Sequence, residues 1–404
     1  MTTSDAILLT VTNCEDFHSV ETVVDLLSAD VRHPNRIIYH DPARPIPRSL
    51  WPACRGVDIF GEGRASEVDG WRFDAYPQWH DEPHTRAAFS FALDRGILIP
   101  DSTAIISGDN RLVYASVENL RHWGGIEHRE PSIINVDGQL IWHPAALDDI
   151  EVIAVSAAGV MYPNYGHFLL DGLPLAYLLA NVSEGQVGQN GVAIVCPPLR
   201  PWHREILTLL NLDRLVREVQ RPTRFSMIVG NSFLSQHVTF PTRYARVIFD
   251  ALKFVVPPIA DAPERIFIVR NNQEGRVMRN HDQLLARMIR RGYTAIVPEN
   301  YSVREQIQMF SRARLVVGAT SAGFANVGFS PPGAKVFEIV AECHPDQWMR
   351  RLSLMLGHRW HGYIHTVDHI AGQQIGAKFF PLYDISFELP LDDFENALSV
   401  VEGT

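Results

Sequence analysis

Residues 265–270 read R-I-F-I-V-R, and residues 314–340 read R-L-V-V-G-A-T-S-A-G-F-A-N-V-G-F-S-P-P-G-A-K-V-F-E-I-V. Their short apolar runs are of the kind that forms strands buried on both faces. Between them lie an amphipathic stretch from His281 to Arg291, the apolar Thr294–Val297, and a second amphipathic stretch opening on Ser302-Val-Arg-Glu305. Strands alternating with helices at this spacing predict βαβ units and an open parallel sheet. In such a sheet a ligand binds beyond the C-terminal strand ends, where a small-residue turn leads into a helix with free N–H groups. Gly318-Ala319-Thr320-Ser321-Ala322-Gly323 is that turn. It marks a candidate site for a nucleotide-linked ligand.

Working outward, Gly292 is placed to end the first helix as a left-handed cap. Ser302 and Glu305 form a capping box at the start of the second. A strand at Lys335–Val340 and a helix at Pro345–Leu356 complete this half. Upstream, Val256-Pro-Pro-Ile-Ala-Asp-Ala-Pro263 reads as a linker, because its prolines cannot continue a helix. Before it, strands are expected at 151–155, 191–196, 225–229 and 238–240, with helices at 164–180, 202–210 and 244–254. Residues 1–150 hold Pro- and Trp-rich loops and short apolar runs such as 96–100. Their clearest signal is Asp137-Gly138 between two apolar runs, a hairpin turn.

A net charge of -10 without a basic tail argues against a nucleic-acid partner and against binding an anionic membrane. Lysine occurs only at Lys253, Lys335 and Lys378, so the positive charge is nearly all arginine. Arginine suits bidentate phosphate contacts, although a coding bias gives the same pattern. Cys14, Cys54, Cys196 and Cys343 form no C-x-x-C pair, which argues against a zinc site or a disulfide framework and fits a reducing compartment. The start of the chain lacks a signal-peptide pattern, and no apolar run reaches the ~20 residues of a membrane span. These features predict a cytoplasmic protein and leave loose membrane association open.

Several residues can carry chemistry. Arg270 ends its strand at the expected ligand edge, Arg276 sits in the following loop, and Asn280 opens the next helix. Two guanidiniums there would neutralise a diphosphate; the plainer reading is surface arginine, with Asn280 and Gln283 as a capping pair. Thr320, Ser321, Ala322 and Gly323 would let backbone approach phosphate, or would simply cap a packed helix. Asn326 and Pro331-Pro332-Gly333 follow the turn and make the motif specific. Glu338 interrupts an apolar strand, so it either faces a ligand, where it could accept ribose hydroxyls, or forms a structural salt bridge to a neighbouring Arg. In Asn164-Tyr-Gly-His167-Phe-Leu-Leu-Asp171-Gly-Leu-Pro174, His167 and Asp171 are i and i+4 and share a helix face. Such a pair can take a proton from a hydroxyl, or it can be a core histidine bonded to its own aspartate.

Together these stretches resemble glycosyltransferase family 61 (DUF563), which includes plant xylosyltransferases, the extracellular O-GlcNAc transferase type and bacterial capsular-polysaccharide proteins. The family pattern N-x-x-H-x-L-x-D-x-L-P is matched by Asn164, His167, Leu169, Asp171, Leu173 and Pro174. Its strand ending in Arg and its R-x-x-x-N step are matched by Arg270, Arg276 and Asn280, and its P-E-x-x-S-x-x-E-Q stretch by residues 298–306. Its glycine-turn motif is matched by Gly318, Ala322, Gly323, Asn326, Phe329, Pro331, Pro332, Gly333, Val336 and Glu338. The likeness covers roughly residues 160–180 and 264–345. It departs where the family has His-Gly and this chain has Thr320-Ser321, and where an Arg after Leu-Pro is Leu175.

The resemblance implies an α/β fold of GT-B type, two Rossmann-like domains facing a cleft, here with an extra irregular α+β N-terminal region. Residues 1–150 would be part of or appended to the acceptor domain, 151–256 the acceptor-side domain, 257–375 the nucleotide-sugar domain, and 376–404 a tail packing back on the N-terminal half. The implied reaction is inverting sugar transfer from a UDP-linked donor to a hydroxyl of a glycan or other acceptor. No cofactor and no required metal are expected; a homo-oligomer is left open. Asp171 is the expected base with His167 orienting it, and Asn164 and Tyr165 lie on the acceptor side. Arg270, Arg276, Thr320, Ser321, Ala322, Gly323, Asn326 and Glu338 are expected to bind the donor. A nucleotide-sugar 2-epimerase and a non-catalytic sugar-nucleotide or glycan-binding subunit are the alternatives.

Overall fold

The quoted run Arg265–Ile268 forms the second strand of a six-stranded sheet. The order is Thr294–Ile296, Arg265–Ile268, Leu315–Ala319, Lys335–Ala341, Arg359–His365 and Ile59–Phe60, every pair parallel. The computed structural model describes residues 6–27, 32–41, 59–60, 88–117, 120, 125–159, 162–183, 192–232, 243–270, 276–341, 348–365, 369–375 and 378–404. The chain divides into two units, Met1–Ala43 with Arg86–Leu234, and Arg44–Thr85 with Ser235–Thr404.

In the second unit the apolar strand residues are buried as their pattern requires. Phe267, Val317, Phe337, Ile339 and Tyr363 share a core with Leu284 and Met288 of the His281–Arg290 helix. Gly292 adopts φ +82° and ends that helix as expected. The Val303–Phe310 helix starts on the predicted box: Ser302 Oγ accepts from the Glu305 N–H, and the Glu305 carboxylate accepts from Ser302 N–H. Each such cap is worth about 1 kcal/mol. Beyond the turn the chain forms a 3-10 helix, Ala322–Phe329.

The tail does not follow expectation. Its helix, Leu391–Gly403, buries Phe394, Leu398 and Val401 in the core of the second unit, not the N-terminal half. Charge complementarity fixes it there: Arg287 pairs with Asp392 and Glu395, Arg291 with Glu402, and Arg265 with the same Glu402. The Arg243–Val255 helix also belongs to the second unit, so the proline linker is not the domain boundary.

In the first unit the strands Val216–Glu218, Val192–Cys196, Asp148–Ser156 and Thr223–Asn231 lie side by side and parallel. They form a parallel α/β core, with helices Leu173–Ser183 and Pro201–Leu209 in the connections. Most described strands before 150 join this same 13-stranded sheet, as a region that is part of this unit would, whereas Ile59–Phe60 belongs to the six-stranded sheet. Ala88–Asp94 and Ile97–Ile99 both pair antiparallel with Thr223–Asn231. The Asp137-Gly138 hairpin forms as read, joining Ile133–Val136 to Gln139–Trp142. The strand expected at 238–240 lies outside the described residues. Among the described residues no helix is long and apolar enough to cross a membrane.

Candidate functional site

Each unit carries one candidate site at the C-terminal edge of its parallel strands. In the second unit a pocket is lined by Arg270, Arg276, His281, Thr320, His365 and Phe387, among others. Arg270 follows the Arg265–Ile268 strand, and Thr320 follows Leu315–Ala319. Arg276 is not in a loop: it begins a short strand, Arg276–Met278, paired with Lys378–Phe387. That strand brings Arg276 beside Arg270, whose Nη1 donates to the Arg276 carbonyl oxygen at 3.4 Å. Burial, and then the charge of Arg276, push the Arg270 guanidinium down to about 10, with Glu299 acting in the opposite sense. Arg270 therefore remains a cation at neutral pH. Among the described residues it has no carboxylate within ion-pair distance. A desolvated cation beside a second cation is an anion site: an anion there offsets both the repulsion and the lost hydration.

The turn itself is committed inward. Thr320 Oγ1 donates to Glu338 Oε1 at 2.8 Å, and Thr320 N donates to the Ile339 carbonyl at 3.1 Å. Glu338 Oε2 accepts from Trp360 Nε1 at 2.8 Å, and the carboxylate is 1% exposed. Both oxygens of Glu338 are thus met by protein donors, so the ribose role read from the sequence has no support in its geometry. The register explains it: Gly318 stands opposite Glu338, so a short hydroxyl two residues on can reach the carboxylate. Asn326 is also turned inward, fully buried and donating to Gln306 Oε1 at 2.8 Å. It joins the 3-10 helix to the Val303–Phe310 helix and does not line the pocket. Ser321, Ala322 and Gly323 start the 3-10 helix, and among the described residues the buried Ser321 Oγ has no hydrogen-bond partner. Asn280 is no side-chain cap; its amide exchanges two hydrogen bonds with the backbone of Leu389, at 2.7 and 3.0 Å.

In the first unit Asn164 starts the predicted helix, its side-chain oxygen accepting from Gly166 N and His167 N. This cap is what the structure gives Asn164 to do. Tyr165 packs edge-on against Trp202 at 5.4 Å, and burial pushes its hydroxyl up. The helix then loosens into a π turn at Phe168–Gly172 before resuming at Leu173–Ser183. Pro174 accounts for the change, since it lacks an N–H and its ring excludes the carbonyl four residues back. His167 Nδ1 and Asp171 Oδ2 are 2.7 Å apart. The Asp171 side chain is 3% exposed and that of His167 18%.

Gly172 lets this turn sit against the end of the Asp148–Ser156 strand. A Cβ there would lie 2.5 Å from the Ala157 carbonyl oxygen, a backbone atom that cannot move cheaply. We expect Gly172→Ala to cost ~1–3 kcal/mol, the scale of overpacking, read as a lowered melting temperature. An unchanged melting temperature would show that the approach is looser than described.

Residues 165–337 match the family model described as Glycosyltransferase 61. The chain carries a glycosyltransferase family 61 region. No curated protein matches the chain. The matched region contains both the His167–Asp171 pair and the Arg270–Thr320 edge. The family implies glycosyltransferase activity, with a sugar donor and an acceptor as substrates. The sequence reading found the pair, the two arginines and the turn. It did not find His281 or His365 in the pocket wall. It also missed His203, whose ring stacks on Trp202 with centroids 3.4 Å apart. The only sequence signal for His281 was its place directly after Asn280.

Proposed function

We propose that this family 61 glycosyltransferase is an inverting enzyme of GT-B organisation that moves a sugar from a UDP-linked donor to an acceptor hydroxyl in the cytoplasm. The observation that carries the donor assignment is the half-buried Arg270 guanidinium, which donates to the Arg276 carbonyl oxygen and, among the described residues, has no carboxylate within ion-pair distance. In this reading the two guanidiniums hold the diphosphate and take up the charge that develops as it leaves. That role for arginine makes the reaction independent of added metal.

On the acceptor side, exposure favours reversing the roles read from the sequence. Asp171 is the more deeply buried partner, so His167 Nε2 is the better placed atom to take the acceptor proton. Asp171 accepts from Nδ1–H and sets the tautomer, the logic of a base held by a carboxylate. The acceptor oxygen then bonds to the anomeric carbon in line. The bond from that carbon to the phosphate oxygen breaks, and its electron pair leaves on the diphosphate.

A thermal-shift screen against a panel of nucleotide sugars, followed by a transfer assay, tests this. Binding to the native state alone raises the melting temperature. We expect a UDP-linked sugar to stabilise the protein, UDP release to require an acceptor, and a chelator to change nothing. Arg270→Ala should weaken donor binding by about 10- to 100-fold, the scale of a charged hydrogen bond. Donor consumption without acceptor points to an epimerase, and binding without turnover to a binding subunit. Either outcome overturns the transferase reading.

A further inference from the structure

The pocket's strongest unexplained atom is a histidine nitrogen. His281 opens the His281–Arg290 helix and lines the pocket with Arg270, Arg276 and Thr320. Its position is fixed from behind, because the preceding Asn280 exchanges two hydrogen bonds with the Leu389 backbone. Nδ1 lies 3.4 Å from the fully exposed Asp282 carboxylate. Nε2 is buried and has no hydrogen-bond partner among the described residues. A buried polar atom left unpaired is costly and calls for a partner that is absent here.

The surroundings state what that partner is. Two guanidiniums face the same pocket, so an anion belongs there. Thr320, the turn hydroxyl that lines the pocket, offers no donor, since it spends its hydroxyl on Glu338 and its N–H on Ile339. An imidazole at the first turn of the neighbouring helix is placed to supply the missing hydrogen bond through Nε2–H.

We propose that His281 is a ligand-contacting residue of this pocket, its Nε2–H donating to a phosphate oxygen of a diphosphate held by Arg270 and Arg276. The proposal rests on the reading of the pocket as the donor site, and it adds a third donor of different chemistry.

Calorimetric titration with inorganic pyrophosphate and with UDP separates the two. We expect wild-type protein to bind both, His281→Ala to weaken each about tenfold or more, and His281→Gln, which keeps an amide donor, to lose less than about threefold. Nitrogen-15 spectra of histidine-labelled protein give a readout that needs no stable alanine variant. Pyrophosphate should shift the Nε2 signal assigned to His281 by its loss in His281→Gln. Wild-type binding with an unperturbed His281 signal, or with equal affinity in His281→Ala, overturns this proposal and leaves the donor site standing. Wild-type protein that binds neither ligand overturns both.

Discussion

His167→Ala should lower the rate of sugar transfer by about 10²- to 10⁴-fold, the usual worth of a positioned general base. The variant stays folded, because the helix start depends on Asn164 and its anchorage on Gly172 rather than on the imidazole. Asp171→Asn should lose a large part of the same factor, since an amide facing Nδ1 favours the tautomer in which Nε2 carries hydrogen and cannot accept. If Asp171 acts only through His167, the double variant is no slower than His167→Ala alone, the non-additivity of residues that form one unit. Added imidazole should restore part of the rate to His167→Ala and none to Asp171→Asn. The opposite pattern, an active His167→Ala with a dead Asp171→Asn, returns the base to Asp171. Transfer is measured as acceptor-dependent UDP release, and circular dichroism confirms the fold of each variant.

The second unit was legible because its strands are apolar on both faces and its helices carry local punctuation. Ser302 with Glu305 and Gly292 mark ends that the chain itself enforces, so the main strands and helices expected from 265 to 340 fall within one or two residues, whereas Arg276–Met278, the strands after 358 and the Leu391–Gly403 helix were not anticipated. The N-terminal strands were not legible, because their partners are distant. Met227 pairs with Asp94, and Ile7 with Trp142. Short runs gain stability only from such non-local pairing, and nothing in a local window announces it. The last helix shows a second limit. Its amphipathic pattern says that Phe394 and Leu398 are buried, but the sheet that buries them is chosen by Arg265, Arg287 and Arg291, more than ninety residues away. At the sites, the i,i+4 rule found His167 with Asp171, and the sheet-edge rule found Arg270 with Thr320. Glu338 was correctly read as a buried carboxylate in need of partners. That those partners are Thr320 and Trp360 follows from strand register, which the sequence does not display.

Acid should destabilise both units by the same device. His203 Nδ1 accepts from Arg200 N at 3.0 Å, and its Nε2 donates to the Tyr162 carbonyl at 2.9 Å. A proton on Nδ1 would turn an acceptor toward an N–H into a second donor. His358 Nε2 donates to the Val327 carbonyl at 3.0 Å, and its buried Nδ1 has no partner for a proton among the described residues. Burial, most of all, lowers each from 6.5 to about 4. The sign follows: below about 6.5 the unfolded chain binds protons that the folded protein refuses until about 4. Stability is therefore complete above 6.5 and drains away as pH falls across that window. At ~1.36 kcal/mol for each tenfold change in proton affinity, the difference between folded and unfolded protein is worth roughly 3 kcal/mol per histidine. Calorimetric scans at pH 7 and pH 5 should show a lowered melting temperature at the acid end. His203→Gln and His358→Gln should each start less stable at pH 7 yet lose less between the two pH values. His203 lies in the first unit and His358 in the second, so when the units melt separately each variant flattens its own transition. Variants as acid-sensitive as the parent would show that other groups carry the acid response.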